Sequence, residues 1–260
     1  MANPNITSLN YIIDRSGSMN HLKPETVGAF NKLLEDQKKM PGEVIFSLTL
    51  FDDKVVALHD SIPLKDVPPL TEETYWEGGG GWTALRDAVG MTTQRVWDRI
   101  AALPDAVKPG KVLFTIITDG EENKSTEYDT KKLLALVEMA RKEWQFEFTM
   151  IGANINSMTT ATNMGFSASN AINFNAQKGG MNQAIRAASI GTRAYRSQGG
   201  SSVQSFYTAS CNVADLSADD SVLEAQMFAS MTSTGTPVPS VIVTPSLILP
   251  IDPNMVVKDK

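Results

Sequence analysis

The sequence predicts an α/β fold in which a central, mostly parallel β-sheet is covered by helices on both faces. Short apolar runs alternate along the chain with segments of helical periodicity, as they do in parallel sheets with helical crossovers. Residues 112–118 form a continuously apolar run, which is typical of a central strand buried on both faces. The 260 residues, 42% of them hydrophobic and 20% charged, suit one large globular domain or two small ones.

Apolar periodicity and punctuating residues place the elements of the first half. Val27, Phe30 and Leu33 share one face of a predicted helix over residues 23–39. Prolines interrupt residues 61–81, which we therefore expect to be irregular. The other elements predicted up to residue 103 are a strand at 9–13, a strand pair at 44–51 and 55–59 around an Asp52-Asp53 turn, and a helix at 83–103.

The second half of the domain continues the alternation of strands and helices. Gly165 follows a predicted helix, and we expect it to close that helix in the left-handed conformation that glycine tolerates. The predicted elements are strands at 112–118, 146–151 and 171–174 and helices at 130–144, 157–164 and 180–195. We expect one domain over residues 1–196 and a C-terminal extension over 197–260.

The C-terminal extension differs in composition from the rest of the chain. Residues 201–260 contain two lysines and six acidic residues, so most of the net charge of −6 lies there. Prolines interrupt the apolar, β-prone runs of residues 235–253, and this confines such runs to edge strands or extended arms. Two interpretations stay open: a partly disordered extension, or an arm that docks on the sheet edge of a partner.

Composition excludes several classes of function. The acidic net charge argues against a nucleic-acid partner, because phosphate binding requires clustered Lys and Arg. The single cysteine, Cys211, excludes an internal disulfide and a thiolate zinc site, and it is not expected to be a nucleophile. The two histidines, His21 and His59, are not expected to bind metal, so oxygen atoms would hold any metal ion. Neither a signal segment nor a membrane-length apolar run is recognisable, which predicts a cytoplasmic protein, or a virion protein if a phage encodes it.

Oxygen-bearing side chains occur where the predicted central strands end. Three of them follow the first strand within five residues, one follows a glycine loop at 78–81, and one follows the buried run at 112–118. Ligands of open α/β sheets bind at the carboxyl ends of the strands, and hard cations such as Mg²⁺ take oxygen ligands. The candidate metal ligands are two carboxylates and three hydroxyls: Asp14, Ser16, Ser18, Thr83 and Asp119.

These residues and their order resemble the von Willebrand factor A (VWA) domain and its metal ion-dependent adhesion site (MIDAS). A D-x-S-x-S pattern after the first strand, a Thr after a glycine-rich loop and Asp-Gly after a buried strand fill all five positions of that site. The segments IIDRSGSM, LFDDKV, TALRDAVG, ITDGEEN and IGANINS look like those of small stand-alone bacterial and phage members. The resemblance covers residues 1 to about 196.

The resemblance implies a three-layer Rossmann-like fold with one antiparallel edge strand, one Mg²⁺ or Mn²⁺ ion, and no catalysis by the domain. It also implies a protein partner whose Asp or Glu completes the coordination of the ion. The residues predicted to lie near that partner are Trp82, Glu121, Glu122 and Asn123. A core position for Trp82 is equally open, and the two glutamates are also explained as solvated loop charges. We expect Asp87 to favour the helix N-terminus rather than to support the metal.

The sequence therefore predicts a non-enzymatic, metal-dependent protein-interaction module. One alternative is a structural component of a larger assembly, such as a phage particle, that docks or self-assembles through residues 201–260. A more remote alternative is a phosphotransferase with Asp14 as nucleophile, which would need a second Asp where Ser16 stands. No Gly-Lys-Ser/Thr follows the glycine loop, which excludes a P-loop, and no G-x-S-x-G hydrolase motif is present.

Overall fold

The computed structural model describes residues 2–153, 157–174 and 179–197, and this part of the chain forms one six-stranded sheet flanked by helices. The strands are β1 (Asn3–Asp14), β2 (Glu43–Phe51), β3 (Val55–Pro63), β4 (Pro109–Thr118), β5 (Phe146–Ala153) and β6 (Ala171–Phe174). The helices are α1 (Lys23–Lys38), α2 (Glu72–Trp76), α3 (Leu85–Ala102), α4 (Thr130–Trp144), α5 (Ser157–Asn163) and α6 (Gly180–Ser197). The sheet order is β3-β2-β1-β4-β5-β6, and β3 is the antiparallel edge strand.

The central strand β1 is buried on both faces because helices cover the sheet on each side. Its side chains alternate between the two faces, as the period of a strand requires. Tyr11 and Ile13 pack with α1 and α6, whereas Ile12 packs with α3 and α4. The structure thus has three layers with a mostly parallel sheet in the middle, which confirms the predicted Rossmann-like fold class.

The pairing of β1 determines which loops lie side by side. In the parallel register, Asp14 is aligned with Phe51 of β2, and Ile13 is aligned with Ile117 of β4. The carboxyl ends of these three strands therefore share one edge of the sheet. Open α/β sheets bind their ligands at this edge.

Two predictions for the first half of the chain are wrong. β1 begins at Asn3 rather than at residue 9, because its polar first residues also pair with the neighbouring chain segment; the Asn3 N–H, for example, donates to the carbonyl of Lys108 at 2.8 Å. The stretch predicted to be irregular contains the short helix α2. Thr71 caps this helix by accepting a hydrogen bond from the N–H of Thr74.

The helix predicted to start at residue 83 begins at Leu85 instead. Thr83 precedes α3, because its N–H donates to the Asn123 side chain and its carbonyl accepts from the Asn123 N–H. Thr83 therefore belongs to a loop that is free to present its hydroxyl at the sheet edge. The predicted left-handed closure at Gly165 is confirmed by its φ of +84°.

Within the described residues, no helix combines the length and the apolar character needed to cross a membrane.

Helix α6 extends to Ser197, one residue past the predicted domain boundary. Cys211 and the docking arm predicted in residues 201–260 lie outside the described part of the chain. The two-part division of the chain stays a prediction.

Candidate metal centre

Three neighbouring loops carry the five predicted ligands. Asp14 is the last residue of β1, and Ser16 and Ser18 follow it in the turn that leads to α1. Thr83 precedes α3, and Asp119 is the first residue after β4. Because β1 lies beside β4, the first and third of these loops are in direct contact at the carboxyl edge of the sheet.

The carboxylate of Asp14 is fully buried, and both of its oxygens accept hydrogen bonds. Oδ1 accepts from the backbone N–H of Ser16 at 2.7 Å, and Oδ2 accepts from the hydroxyl of Thr118 at 2.5 Å. Burial raises the pKa of Asp14 from 3.8 to about 6, although the hydrogen bonds from Thr118 and Ser16 lower it. The nearby charge of Asp119 adds to the increase. A carboxylate in this position is stabilised by a cation that compensates its buried charge.

A chain of close contacts joins the two serines to Asp119. The hydroxyl oxygens of Ser16 and Ser18 are 3.2 Å apart, and the Ser18 hydroxyl donates to Asp119 Oδ1 at 2.6 Å. The other oxygen of Asp119, Oδ2, is buried and accepts no hydrogen bond within the described part of the chain. Burial also raises the pKa of Asp119. An unsatisfied buried carboxylate oxygen is costly unless a further group binds it.

Thr83 approaches this group of oxygens from the third loop. A Cβ atom placed on Gly120 would lie 3.0 Å from Thr83 Oγ1 and 3.5 Å from Ser18 Oγ. The hydroxyls of Thr83 and Ser18 therefore lie close to the same side of Gly120, directly after Asp119. Glycine at position 120 leaves the space that allows these hydroxyls to approach each other.

The glycine loop at 78–81 is fixed against the first ligand loop by backbone hydrogen bonds. Gly17 N–H donates to the carbonyl of Gly81 at 3.0 Å, and Gly80 N–H donates to the carbonyl of Arg15 at 2.9 Å. A Cβ on Gly79 would lie 3.1 Å from that Arg15 carbonyl oxygen. The glycines thus let the two backbones approach closely, which places the Thr83 segment beside the serines.

The donor set fits a hard divalent cation. Within residues 2–153, 157–174 and 179–197, no three His, Cys, Asp or Glu side chains form a cluster that could hold a metal ion. A cation at this edge would therefore depend on hydroxyl oxygens together with Asp14 and Asp119. Oxygen ligands, a buried unsatisfied carboxylate oxygen and two carboxylates with raised pKa values all match Mg²⁺ or Mn²⁺.

The structure separates the residues predicted to lie near a partner into two groups. Trp82 is 63% exposed, which excludes the core position that the sequence left open. Glu121 is also exposed. Asn123 is exposed as well, but its side chain accepts a hydrogen bond from the N–H of Thr83 at 2.9 Å. Trp82 and Glu121 thus border the centre at the surface, whereas Asn123 holds one of its loops.

Glu122 and Asp87 do more than the sequence suggested. Glu122 accepts from the N–H of Arg86 at 2.8 Å and from the Ser125 hydroxyl at 2.6 Å, so it caps α3 and is not a solvated loop charge. Asp87 accepts hydrogen bonds from three consecutive N–H groups of residues 126–128. Asp87 lies in the first turn of α3, where an acidic residue favours the helix N-terminus as predicted, and it also fixes the loop that enters α4.

Sequence reasoning missed four residues that support the centre. Thr118 binds Asp14, as described above, and the Tyr75 hydroxyl donates to the carbonyl of Asp14 at 2.5 Å. Arg15 and Asp52 are both buried, and the ion pair between them connects the loop after β1 with the turn after β2. Two signals in the sequence could have pointed to them: Thr118 is a polar residue at the end of an apolar strand, and Asp52 belongs to a pair of aspartates that follows a strand.

The sequence matches no protein-family model and no curated protein, but solved structures share its fold. The pilus adhesin SpaC from Lactobacillus rhamnosus GG, in an open conformation, is similar with a TM-score of 0.53 and 10% identity over 73% of this chain and 30% of that one. A von Willebrand factor type A structure from Catenulispora acidiphila gives a TM-score of 0.45 and 11% identity, covering 79% of this chain and 42% of that chain.

Proximal thread matrix protein 1 from the mussel byssus, with a zinc-occupied MIDAS motif, gives a TM-score of 0.47 and 14% identity over 70% of this chain. The chain spans 46% of the length of that mussel protein. At these identities the likeness is one of fold alone.

Proposed function

We propose that this chain is a non-enzymatic protein-interaction module that acts through one bound Mg²⁺ or Mn²⁺ ion. The residues that would hold the ion, directly or through water, are Asp14, Ser16, Ser18, Thr83 and Asp119. When bound, the ion supplies a Lewis-acidic position that an Asp or Glu of a protein partner would complete. Trp82 and Glu121, exposed beside the centre, would contact that partner.

The observation that carries this proposal is the buried, unsatisfied Oδ2 of Asp119, a residue whose Oδ1 binds the Ser18 hydroxyl and whose neighbour Gly120 lies close to the Thr83 hydroxyl. Three hydroxyls neutralise none of the charge of a divalent cation, and two carboxylates compensate it without excess. The site thus has no surplus negative charge to repel a further anionic ligand, and its neutral hydroxyl ligands leave the ion electron-poor. An acidic side chain from another protein is a ligand of this kind.

The residues around Asp14 support binding rather than catalysis. A phosphotransferase of the strand-end D-x-D type has its acid or base two residues after the nucleophile, but that position here is Ser16, whose hydroxyl is 3.2 Å from another hydroxyl. Both oxygens of Asp14 are oriented by hydrogen bonds from Ser16 and Thr118. These bonds fix the carboxylate for a static electrostatic role.

Parallel calorimetric titrations of Mg²⁺ and Mn²⁺ test the proposal. Asp14→Ala is expected to lose measurable ion binding while keeping the fold by circular dichroism, and Asp66→Ala, which removes an exposed charge away from the ligand loops, is expected to keep binding. Unaltered ion binding by Asp14→Ala would contradict the assignment of the site. Where binding is found, capture of a partner that is lost on addition of chelator and in Asp14→Ala tests the interaction itself.

A further inference from the structure

We propose that Asp52 is a positioning residue for the metal centre, one that sets metal affinity without contacting the ion. It follows β2, at the same sheet edge as the ligand loops, and it is only 1% exposed. This inference rests on the proposed function, since it concerns the geometry of that same site. The structural basis is a set of hydrogen bonds that join Asp52 to the loops on either side.

Asp52 holds the segment that carries Thr83 at two points. Its backbone carbonyl accepts from the N–H of Ala84 at 2.8 Å, and its Oδ2 accepts from the N–H of Gly81 at 3.3 Å. Its Oδ1 accepts from the N–H of Lys54 at 3.0 Å, which orients the carboxylate. Because Gly81 and Ala84 flank Thr83, these contacts fix the residue between them.

Asn123 holds Thr83 from the opposite side. The Thr83 N–H donates to Asn123 Oδ1 at 2.9 Å, and the Thr83 carbonyl accepts from the Asn123 N–H at 3.0 Å. The hydroxyl of Thr83 is thus presented by a short segment that is fixed on both sides. The loss of either support would let this hydroxyl move away from Ser18 and Asp119.

Arg15 extends the support to the serine loop. Its guanidinium lies 3.9 Å from Asp52 Oδ1 and donates to the carbonyl of Glu77, while its backbone N–H donates to the carbonyl of Phe51 at 2.7 Å. Arg15 is 4% exposed, so Asp52 compensates a buried positive charge. Removing one member of a buried ion pair leaves the other uncompensated and disturbs its surroundings. The loop from Asp14 to Ser18 contains Arg15 and would share that disturbance.

Metal affinity and loop order separate this role from a general structural one. Asp52→Asn keeps the shape of the side chain but removes the charge that faces Arg15. We expect it to weaken Mn²⁺ binding by about tenfold or more, the size of effect seen when groups that orient metal ligands are changed. Asp66→Asn removes the same charge from an exposed position away from the ligand loops, just past the end of β3, and is expected to change affinity by less than about threefold, because exposed charges are screened.

Asp36→Asn provides a second control. Asp36 is a buried carboxylate in α1 that pairs with Lys32 and Lys39. Its substitution is expected to lower the melting temperature of the metal-free protein while leaving Mn²⁺ affinity unchanged. A parallel measurement of amide hydrogen exchange without metal is expected to show faster exchange over residues 77–84 in Asp52→Asn and no change there in Asp36→Asn.

The outcomes distinguish this inference from the proposed function. If wild type binds Mn²⁺ but Asp52→Asn has the affinity of Asp66→Asn, or if exchange over residues 77–84 is unchanged, the positioning role is overturned. If wild type does not bind Mn²⁺, the proposed function fails. In that case faster exchange in Asp52→Asn retains Asp52 as the support of the Thr83 loop but removes its link to metal.

Discussion

At the scale of single residues, burial accounts for the chemistry of the centre. Asp14 and Asp119 are carboxylates removed from water, and burial raises the pKa of both. Hydrogen bonds from Ser16, Thr118 and Ser18 offset part of this effect but leave Asp119 Oδ2 without a partner in the described part of the chain. Such a site binds protons or cations, and the two compete for the same oxygens.

This competition predicts that metal affinity depends on pH. In the metal-free protein the pKa of Asp14 is about 6, so below that pH the carboxyl is protonated and a cation must displace the proton. The affinity for Mn²⁺ should therefore be nearly constant above pH 7 and fall by about tenfold per pH unit below pH 6. Calorimetric titrations between pH 5 and 8 measure this dependence. Equal affinity at pH 5 and pH 7.5 would contradict the raised pKa of Asp14.

The space left by Gly120 gives a second prediction at this scale. Gly120→Ala would place a methyl group 3.0 Å from Thr83 Oγ1, so the Thr83 hydroxyl must shift by a few tenths of an ångström, whereas Ser18 Oγ at 3.5 Å stays in ordinary contact. We expect the fold to be retained and Mn²⁺ affinity to fall by about tenfold, since ligand position controls affinity. Calorimetry with a thermal melt of the metal-free variant measures both quantities. Wild-type affinity in this variant would show that the position of the Thr83 hydroxyl does not control ion binding.

At the scale of elements, close packing determines which positions accept a side chain. Helices α1 and α3 each contain an interior glycine, Gly28 and Gly90, that helix propensity alone would treat alike. A Cβ on Gly28 would meet no atom within 4 Å, whereas a Cβ on Gly90 would lie 2.5 Å from the ring of Tyr128. Tyr128 belongs to the segment that Asp87 fixes by hydrogen bonds, so the ring cannot easily move away.

The two glycines therefore predict opposite effects of the same substitution. Gly28→Ala should stabilise the protein by about 0.5–1 kcal/mol, because alanine loses less conformational freedom in a helix. Gly90→Ala should destabilise it by about 1–3 kcal/mol through overpacking against Tyr128. Chemical denaturation of both variants measures these free energies of unfolding. A stabilising Gly90→Ala would contradict the close contact of α3 with Tyr128.

The elements that the sequence predicts well are those with long, uniform patterns. Burial on both faces makes β4 a continuous apolar run, and burial on one face gives α4 (130–144) its helical periodicity. Both patterns can be recognised in the sequence. The five-residue α2 was missed because it is too short to show periodicity and lies among prolines. The start of α3 was placed two residues early, since only the contact with Asn123 shows that Thr83 stays outside the helix.

At the scale of the whole molecule, the sheet order brings distant segments together. β1 lies between β2 and β4, so loops that are separated by up to about a hundred residues meet at one edge. The five candidate ligands could be predicted because each belongs to a short motif after a strand. Asp52 and Arg15 could not, because their role depends on which loops become neighbours, and a pair of aspartates beside a strand reads equally well as a turn.

The central claim, that one divalent cation binds among the five oxygen-bearing side chains, is tested most directly by crystals of the full chain grown with Mn²⁺. The anomalous scattering of manganese locates the ion independently of the protein coordinates. We expect one strong peak at the carboxyl edge of the sheet, among the oxygens of Ser16, Ser18, Thr83 and Asp119 and close to Asp14. No peak there at saturating Mn²⁺, or a peak only elsewhere on the chain, would contradict it.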